Sequence, residues 1–110
     1  MRRGDIVLVA DRSGGDYGSK PRPAVVVQSE LFADTGSVAV CLITTQQTGA
    51  PLLRIPLAPG PESGLRAPSQ IAIEKLMTVR RDRVGTRIGR VSDEELLALN
   101  RSLAVFLGFA

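Results

Sequence analysis

Histidine and tryptophan are absent from this 110-residue chain, and cysteine occurs once. Without histidine there is no Ser-His or Cys-His nucleophile, no His-ligated metal and no two-histidine acid-base pair. With Cys41 alone there is neither an intrachain disulfide nor a Cys-rich zinc site. A lone cysteine among apolar neighbours reads as a buried thiol in a reducing compartment. No apolar run approaches a membrane span, and residues 1–10 mix charge with hydrophobic residues, unlike a signal peptide, so the expectation is a soluble, cytoplasmic protein. Gly14, Gly15 and Gly18 lack the spacing of a phosphate-binding loop or dinucleotide fingerprint. Asp5, Asp11 and Asp16 read as turn and strand-edge residues rather than cation ligands, so neither metal nor cofactor is expected.

With 44% hydrophobic residues and a mean hydropathy of +0.11, residues 1–110 fit one domain able to bury its own core. The formal net charge is only +3, so the placement of charge matters more than its sum. Residues 80–90 carry Arg80, Arg81, Arg83, Arg87 and Arg90 against Asp82 alone, whereas residues 91–110 carry Arg101 against Asp93, Glu94 and Glu95. Arginine favours phosphate or carboxylate partners because its planar fork bonds both bidentately; the simpler reading of such a segment is a solvated face.

The most constrained stretch is Lys20 to Gln28, KPRPAVVVQ. Pro21 fixes its own φ, and Pro23 pushes Arg22 into extended geometry. The run Ala24–Gln28 then reads as a buried strand with Pro23 where it begins. Asp5–Ala10 reads as an earlier strand, Asp11–Ser19 as a glycine-rich loop carrying Tyr17, and Val38–Ile43 as a strand covered on both faces. If Gln28 pairs with Val38 in an antiparallel hairpin, paired numbers sum to 66 and Arg22 falls opposite Thr44. Such pairs share a face with Cβ atoms roughly 5 Å apart. A one-residue slip would bring in Thr45 or reverse the face.

Farther on, Thr44–Gly49 is a polar breaker, Pro51–Leu57 a short edge strand and Ala58–Pro68 a loop. Ser69–Ile73 and Leu76–Val79 read as two strands with a kink or bulge at Glu74 and Lys75, and Ile88 falls in a small turn. Ser92 opens a helix through a capping box with Glu95. Leu96, Leu99, Leu103, Phe106 and Leu107 form one apolar stripe assigned to the core, and Gly108 ends the helix. Short strands followed by a terminal helix imply a mainly β, barrel-like fold with the helix packed on it.

These elements carry a resemblance across almost the whole chain. RGDIVLVA at residues 3–10, the glycine-rich loop, KPRPAVVVQSELF at 20–32, VCLITT at 40–45 and the ending IGRVSDEELLALNRSLAVFLG resemble the MazF/PemK/Kid family of toxin endoribonucleases. The resemblance implies an SH3-like β-barrel of the CcdB/PemK type with a C-terminal helix, a homodimer, and metal-independent, sequence-specific cleavage of single-stranded RNA. A cognate MazE-like antitoxin would neutralise it. The family's catalytic arginine and threonine fall on Arg22 and Thr44. The Glu-Gln common in the family's glycine-rich loop is replaced here by Tyr17 and Gly18, so no acidic helper transfers to that loop, although Asp16 is adjacent.

On this reading Arg22 stabilises charge on the phosphate and Thr44 orients it. Asp16, Tyr17, Lys20, Thr45, Gln46, Ser69 and Gln70 are candidate substrate contacts, with Tyr17 a stacking platform for an unpaired base. Two other functions fit the same fold: a nonenzymatic gyrase poison docking through an apolar C-terminal end, and an RNA-binding module without activity. The assignment of Phe106 and Leu107 to the core stripe weighs against the first.

Overall fold

The computed structural model describes residues 1–10 and 20–110. Among the described residues six strands form one antiparallel sheet: β1 (Asp5–Val9), β2 (Arg22–Val26), β3 (Ser37–Thr44), β4 (Arg54–Leu57), β5 (Ser69–Arg80) and β6 (Val84–Arg90). Their spatial order is β4-β5-β3-β2-β1-β6. Single 3-10 turns occupy Glu30–Phe32 and Arg81–Arg83, and the helix α1 (Asp93–Phe106) closes the chain.

Strand alternation divides the apolar residues between two faces. Ile6, Val25, Cys41, Ile43, Ile71 and Ile73 pack with Leu99 and Leu103 of α1. Val7, Val9, Ala24, Val26, Val38, Val40 and Val79 make the second cluster. The unalternating runs in β2 and β3 are the sequence trace of this two-sided burial. Cys41 is fully buried, and burial pushes its thiol up to about 12, leaving it protonated and inert at neutral pH.

The hairpin register is the one expected. Ala24 pairs with Leu42, Val25 with Cys41 and Val26 with Val40, each pair summing to 66. Strand β2 begins earlier than expected, at Arg22, and so includes Pro23. The Val27 N–H bonds to Ala39 O on the β3 side. Donors two and four residues back face the same way, so the missing N–H of Pro23 falls where the β3 ladder has already ended.

Four further expectations are corrected. Strand β5 is continuous rather than two strands, and the expected bulge is real: between Cys41↔Leu76 and Ile43↔Ile71 the register shifts, placing Glu74 and Lys75 in the excess. Ile88 lies inside β6 rather than in a turn. The edge strand expected from Pro51 begins only at Arg54. Helix α1 has the expected capping box, and Gly108 ends it at φ +85°, but its apolar stripe is not all core. Leu99 and Leu103 are buried, whereas Phe106 and Leu107 are 44% and 49% exposed. The sheet ends before the last turn of the helix, so periodicity continues past the surface that gives it meaning.

The N-terminal Arg-Gly-Asp motif is structural. Arg3 Nε donates to Val27 O at 2.9 Å, and the buried Asp5 carboxylate accepts from Arg2 N (2.7 Å), Arg87 Nε (3.2 Å) and Arg90 Nη1 (2.9 Å). Burial alone would raise the Asp5 pKa; the Arg2 N–H and the Arg90 and Arg87 guanidinium bonds outweigh it and hold the carboxyl below its ordinary 3.8. A lowered folded-state pKa contributes stability above the unfolded value and loses it as pH falls through the folded one. Asp5→Asn should therefore cost about 2 kcal/mol at pH 7. In urea titrations the gap between wild type and variant should narrow as pH is taken below 3.8; a gap constant with pH would show that the carboxylate charge contributes nothing.

Candidate active site

Arg22 is the first residue of β2, exposed, and opposite Val9 of β1. Thr44 is the last residue of β3, half-buried, and opposite Gln70 of β5. The β2–β3 ladder ends at Ala24↔Leu42. Carried two residues farther, the same register sets Arg22 across from Thr44, on the face that bears Ala24 and Leu42. Arg22 and Thr44 thus belong to one face at the same end of the sheet, beyond the last paired residues Ala24 and Leu42.

Beside Arg22 opens a cleft of about 220 Å³. Val9, Leu42, Met77 and Val79 are its apolar lining, and Arg22, Arg80 and Arg83 bring guanidinium groups to it. Thr44 is not part of that lining; Arg22 stands between it and Val9 on the sheet. No described carboxylate pairs with Arg22 or Arg83, whereas Arg80 meets Asp82. An apolar floor with cationic rims suits an unpaired base with its phosphates.

The arginine segment resolves into separate tasks. Arg87 and Arg90 are held by Asp5, and Arg81 Nε donates to Thr35 O at 2.7 Å. Only Arg80 and Arg83 reach the cleft. The arginines of residues 80–90 therefore do not form one face, because edge strand β6 turns Arg87 and Arg90 back onto β1. Met77 was not singled out from the sequence, although the alternation of Met77 and Val79 with Thr78 on β5 was a signal; Arg83 was read only as one of the arginines of residues 80–90.

Of the expected substrate contacts, Lys20, Thr45 and Gln46 are exposed near the ends of β2 and β3. Asp16 and Tyr17 lie outside the described residues. Ser69 and Gln70 are 4% and 8% exposed, and their polar atoms are already occupied. Ser69 Oγ donates to Ala67 O at 2.9 Å. Gln70 Oε1 accepts from Thr48 N at 3.2 Å and its Nε2 donates to Thr48 O at 3.1 Å. That correction makes Gln70 a support for the segment after Thr44 rather than a wall of the groove. Asp5 is likewise an internal ion-pair partner, and no cluster of metal-ligating side chains occurs among the described residues.

Arg54 was also missed by sequence reasoning. Its guanidinium holds Glu74 in a fork, Nη2 to Oε2 at 2.7 Å and Nε to Oε1 at 3.2 Å. That bond is the main cause holding the Glu74 carboxyl below its ordinary range. Arg54 Nη1 also donates to Gln46 O and Gln70 Oε1, each at 3.3 Å.

Residues 2–107 match the family described as PemK-like, MazF-like toxin of type II toxin-antitoxin system. Over 110 residues the chain is 44% identical to a Mycolicibacterium smegmatis protein named "Probable endoribonuclease MazF", covering 100% of this chain and 99% of that one. In three dimensions it resembles an endoribonuclease in complex with its cognate antitoxin from a mycobacterial species, with a TM-score of 0.77, 22% identity and 100% and 97% of the two chains covered. It also resembles the MazE-MazF structure from Deinococcus radiodurans, with a TM-score of 0.82, 18% identity and the same coverage. The chain belongs to the PemK-like, MazF-like toxins of type II toxin-antitoxin systems. Its enzyme class is that of the MazF endoribonucleases.

Proposed function

We propose that this toxin cleaves single-stranded RNA, mRNA being the expected target, at specific short sequences and without a metal ion, so inhibiting translation and growth. The 2′-oxygen of the nucleotide on the 5′ side attacks phosphorus, and the P–O5′ bond breaks. A 2′,3′-cyclic phosphate and a 5′-hydroxyl result, the proton of the 2′-hydroxyl leaving and one being gained at O5′. The observation that carries this reading is Arg22 at the strand mouth, beside the arginine-rimmed cleft, with Thr44 across from it when the β2–β3 register is continued past Ala24 and Leu42.

Arg22 offers paired N–H donors to the nonbridging oxygens as their charge grows. A guanidinium keeps its proton in proteins, so Arg22 acts by charge rather than as a base. Thr44 Oγ1 already accepts the Gln46 N–H at 3.1 Å, which leaves its own O–H to donate to the phosphate. Arg83 contacts a neighbouring phosphate, and the floor of Val9, Leu42 and Met77 receives a base. Lys20, Thr45 and Gln46 are proposed as outer contacts, with Asp16 and Tyr17 as base-reading residues of the loop before Lys20.

Two protein partners follow the same reading: a second copy of the chain, as a homodimer, and a MazE-like antitoxin. Leu52, Val105 and Phe106 are 63%, 46% and 44% exposed around a groove shared with Ala50, Pro51 and Leu53. An apolar area of this kind is expected to be covered by protein.

Primer extension on RNA incubated with the toxin in EDTA tests the proposal. Discrete cuts at a recurring short motif, with 5′-hydroxyl ends, are expected. Uncut RNA would refute it, and a gyrase–DNA cleavage complex trapped by the protein in a separate assay with Mg2+ would favour the poison, whose apolar C-terminal end the exposed Phe106 and Leu107 supply.

A further inference from the structure

The nine residues 45–53 between β3 and β4 have no ladder of their own. The segment's first half is held by side chains instead. Gln47 Nε2 reaches Pro68 O at 3.3 Å, and Gln70 brackets both backbone groups of Thr48. Arg54 gathers the rest, since its Nη1 donates to Gln46 O and Gln70 Oε1 while Glu74 fixes the far side of the same guanidinium. The Arg54 side chain is only 12% exposed. It is therefore shielded and preorganised, unlike an ordinary surface ion pair.

The residue held from both sides is Gln46. Its carbonyl accepts from Arg54 at 3.3 Å and its N–H donates to Thr44 Oγ1 at 3.1 Å. A hydroxyl oxygen that accepts the peptide N–H must direct its own hydrogen elsewhere. We infer that Arg54 is a positioning residue for Thr44: by pinning Gln46 it sets the Thr44 hydroxyl as a donor toward the reacting phosphate. The inference rests on the reading that Thr44 acts on that phosphate. Glu74 and Gln70 are the second tier, one orienting the guanidinium and the other fixing the loop beyond Gln46. A misplacement of a catalytic donor by about 1 Å is enough to cost on the order of 100-fold in rate, so an indirect role of this kind is measurable.

The test is a double-mutant cycle on cleavage of a single-stranded RNA carrying the recognised motif, with kcat and KM measured separately. Arg54→Lys retains a cation for Glu74 but loses the fork that reaches Gln46 and Gln70. Arg54→Met removes the charge and is the second variant. Each is expected to lower kcat about tenfold or more with KM within about twofold. In a Thr44→Val background the same changes should produce no further loss, because Arg54 acts through the hydroxyl that is gone. Thermal unfolding fixes an assay temperature at which every variant is folded, and Arg54→Lys carries the test if Arg54→Met does not fold. Equal fold-losses in the wild-type and Thr44→Val backgrounds, or unchanged kcat in Arg54→Lys, would overturn the inference. A Thr44→Val enzyme with wild-type kcat would instead overturn the reading beneath it.

Discussion

Arg22→Ala should lower kcat/KM on single-stranded RNA by ~100-fold or more while leaving the unfolding midpoint almost unchanged. Two facts separate the effects. Arg22 is exposed and no described carboxylate pairs with it, so its removal leaves no buried partner unsatisfied, and surface changes of that kind stay within about 0.5 kcal/mol. Its proposed work is done only when charge develops on the phosphorane oxygens, where deleting one preorganised donor costs ~100–1,000-fold. Arg22→Lys should restore little, because a single ammonium cannot bond two nonbridging oxygens in one plane. Arg83→Ala should act differently, raising KM several-fold with a smaller change in kcat, since a phosphate contact beside the scissile bond binds ground and transition states alike. Wild-type cleavage by both Arg22→Ala and Thr44→Val would sink the assignment of this sheet end as the active site.

The centre of the sheet was legible because both faces of β2 and β3 are covered. Val25 and Cys41 face one cluster, Val26 and Val40 the other, so a slipped register would move every side chain to the wrong neighbour. That constraint made the Ala24–Leu42, Val25–Cys41 and Val26–Val40 register readable from the sequence, and its continuation sets Arg22 across from Thr44. Legibility fell off at the edge. Strand β6 exposes Gly85, Thr86 and Arg87, and a half-solvated edge has no apolar alternation to find. The same applies to the end of α1, where Phe106 continues a helical stripe beyond the sheet that buries Leu99 and Leu103.

At the site, the residues that would touch phosphate were more visible than those that hold them. Arg22 announces itself through two flanking prolines. Arg54 does not, because its partners Gln46, Gln70 and Glu74 are distant in sequence and the β3–β5 bulge decides which of them share its side of the sheet. The Arg-Gly-Asp motif was legible as a motif while its task was not: Asp5 joins β1 to β6 and Arg3 ties the chain to Val27.

Gly64→Ala is expected to be strongly destabilising, costing about 3 kcal/mol or more. Gly64 has φ +73°, and a Cβ there would lie 2.0 Å from the Ile88 carbonyl oxygen. On the same seam a Cβ on Gly89 would lie 2.2 Å from Ser63 C and O. Backbone meets backbone in both directions, so no rotamer change relieves the contact and the loop must lift from β6. Lifting it breaks the Arg90 N–H bond to Glu62 O at 2.8 Å and disturbs Ser63, which is 8% exposed. It also loosens the strand that supplies Arg87 and Arg90 to Asp5. The left-handed φ adds about 1–2 kcal/mol for any residue with a Cβ. For a domain of this size the melting temperature should fall by about 10–20 °C. Gly89→Ala has an ordinary φ and tests the steric part alone, while Gly36→Ala and Gly49→Ala, with nothing within 4 Å of the added carbon, serve as controls near wild type. A Gly64→Ala protein melting with those controls would show that the loop does not seat on β6. Because Arg22 is separated from β6 by β1, Gly89→Ala assayed well below its lowered melting temperature should still cleave RNA, which distinguishes a damaged seam from a damaged site.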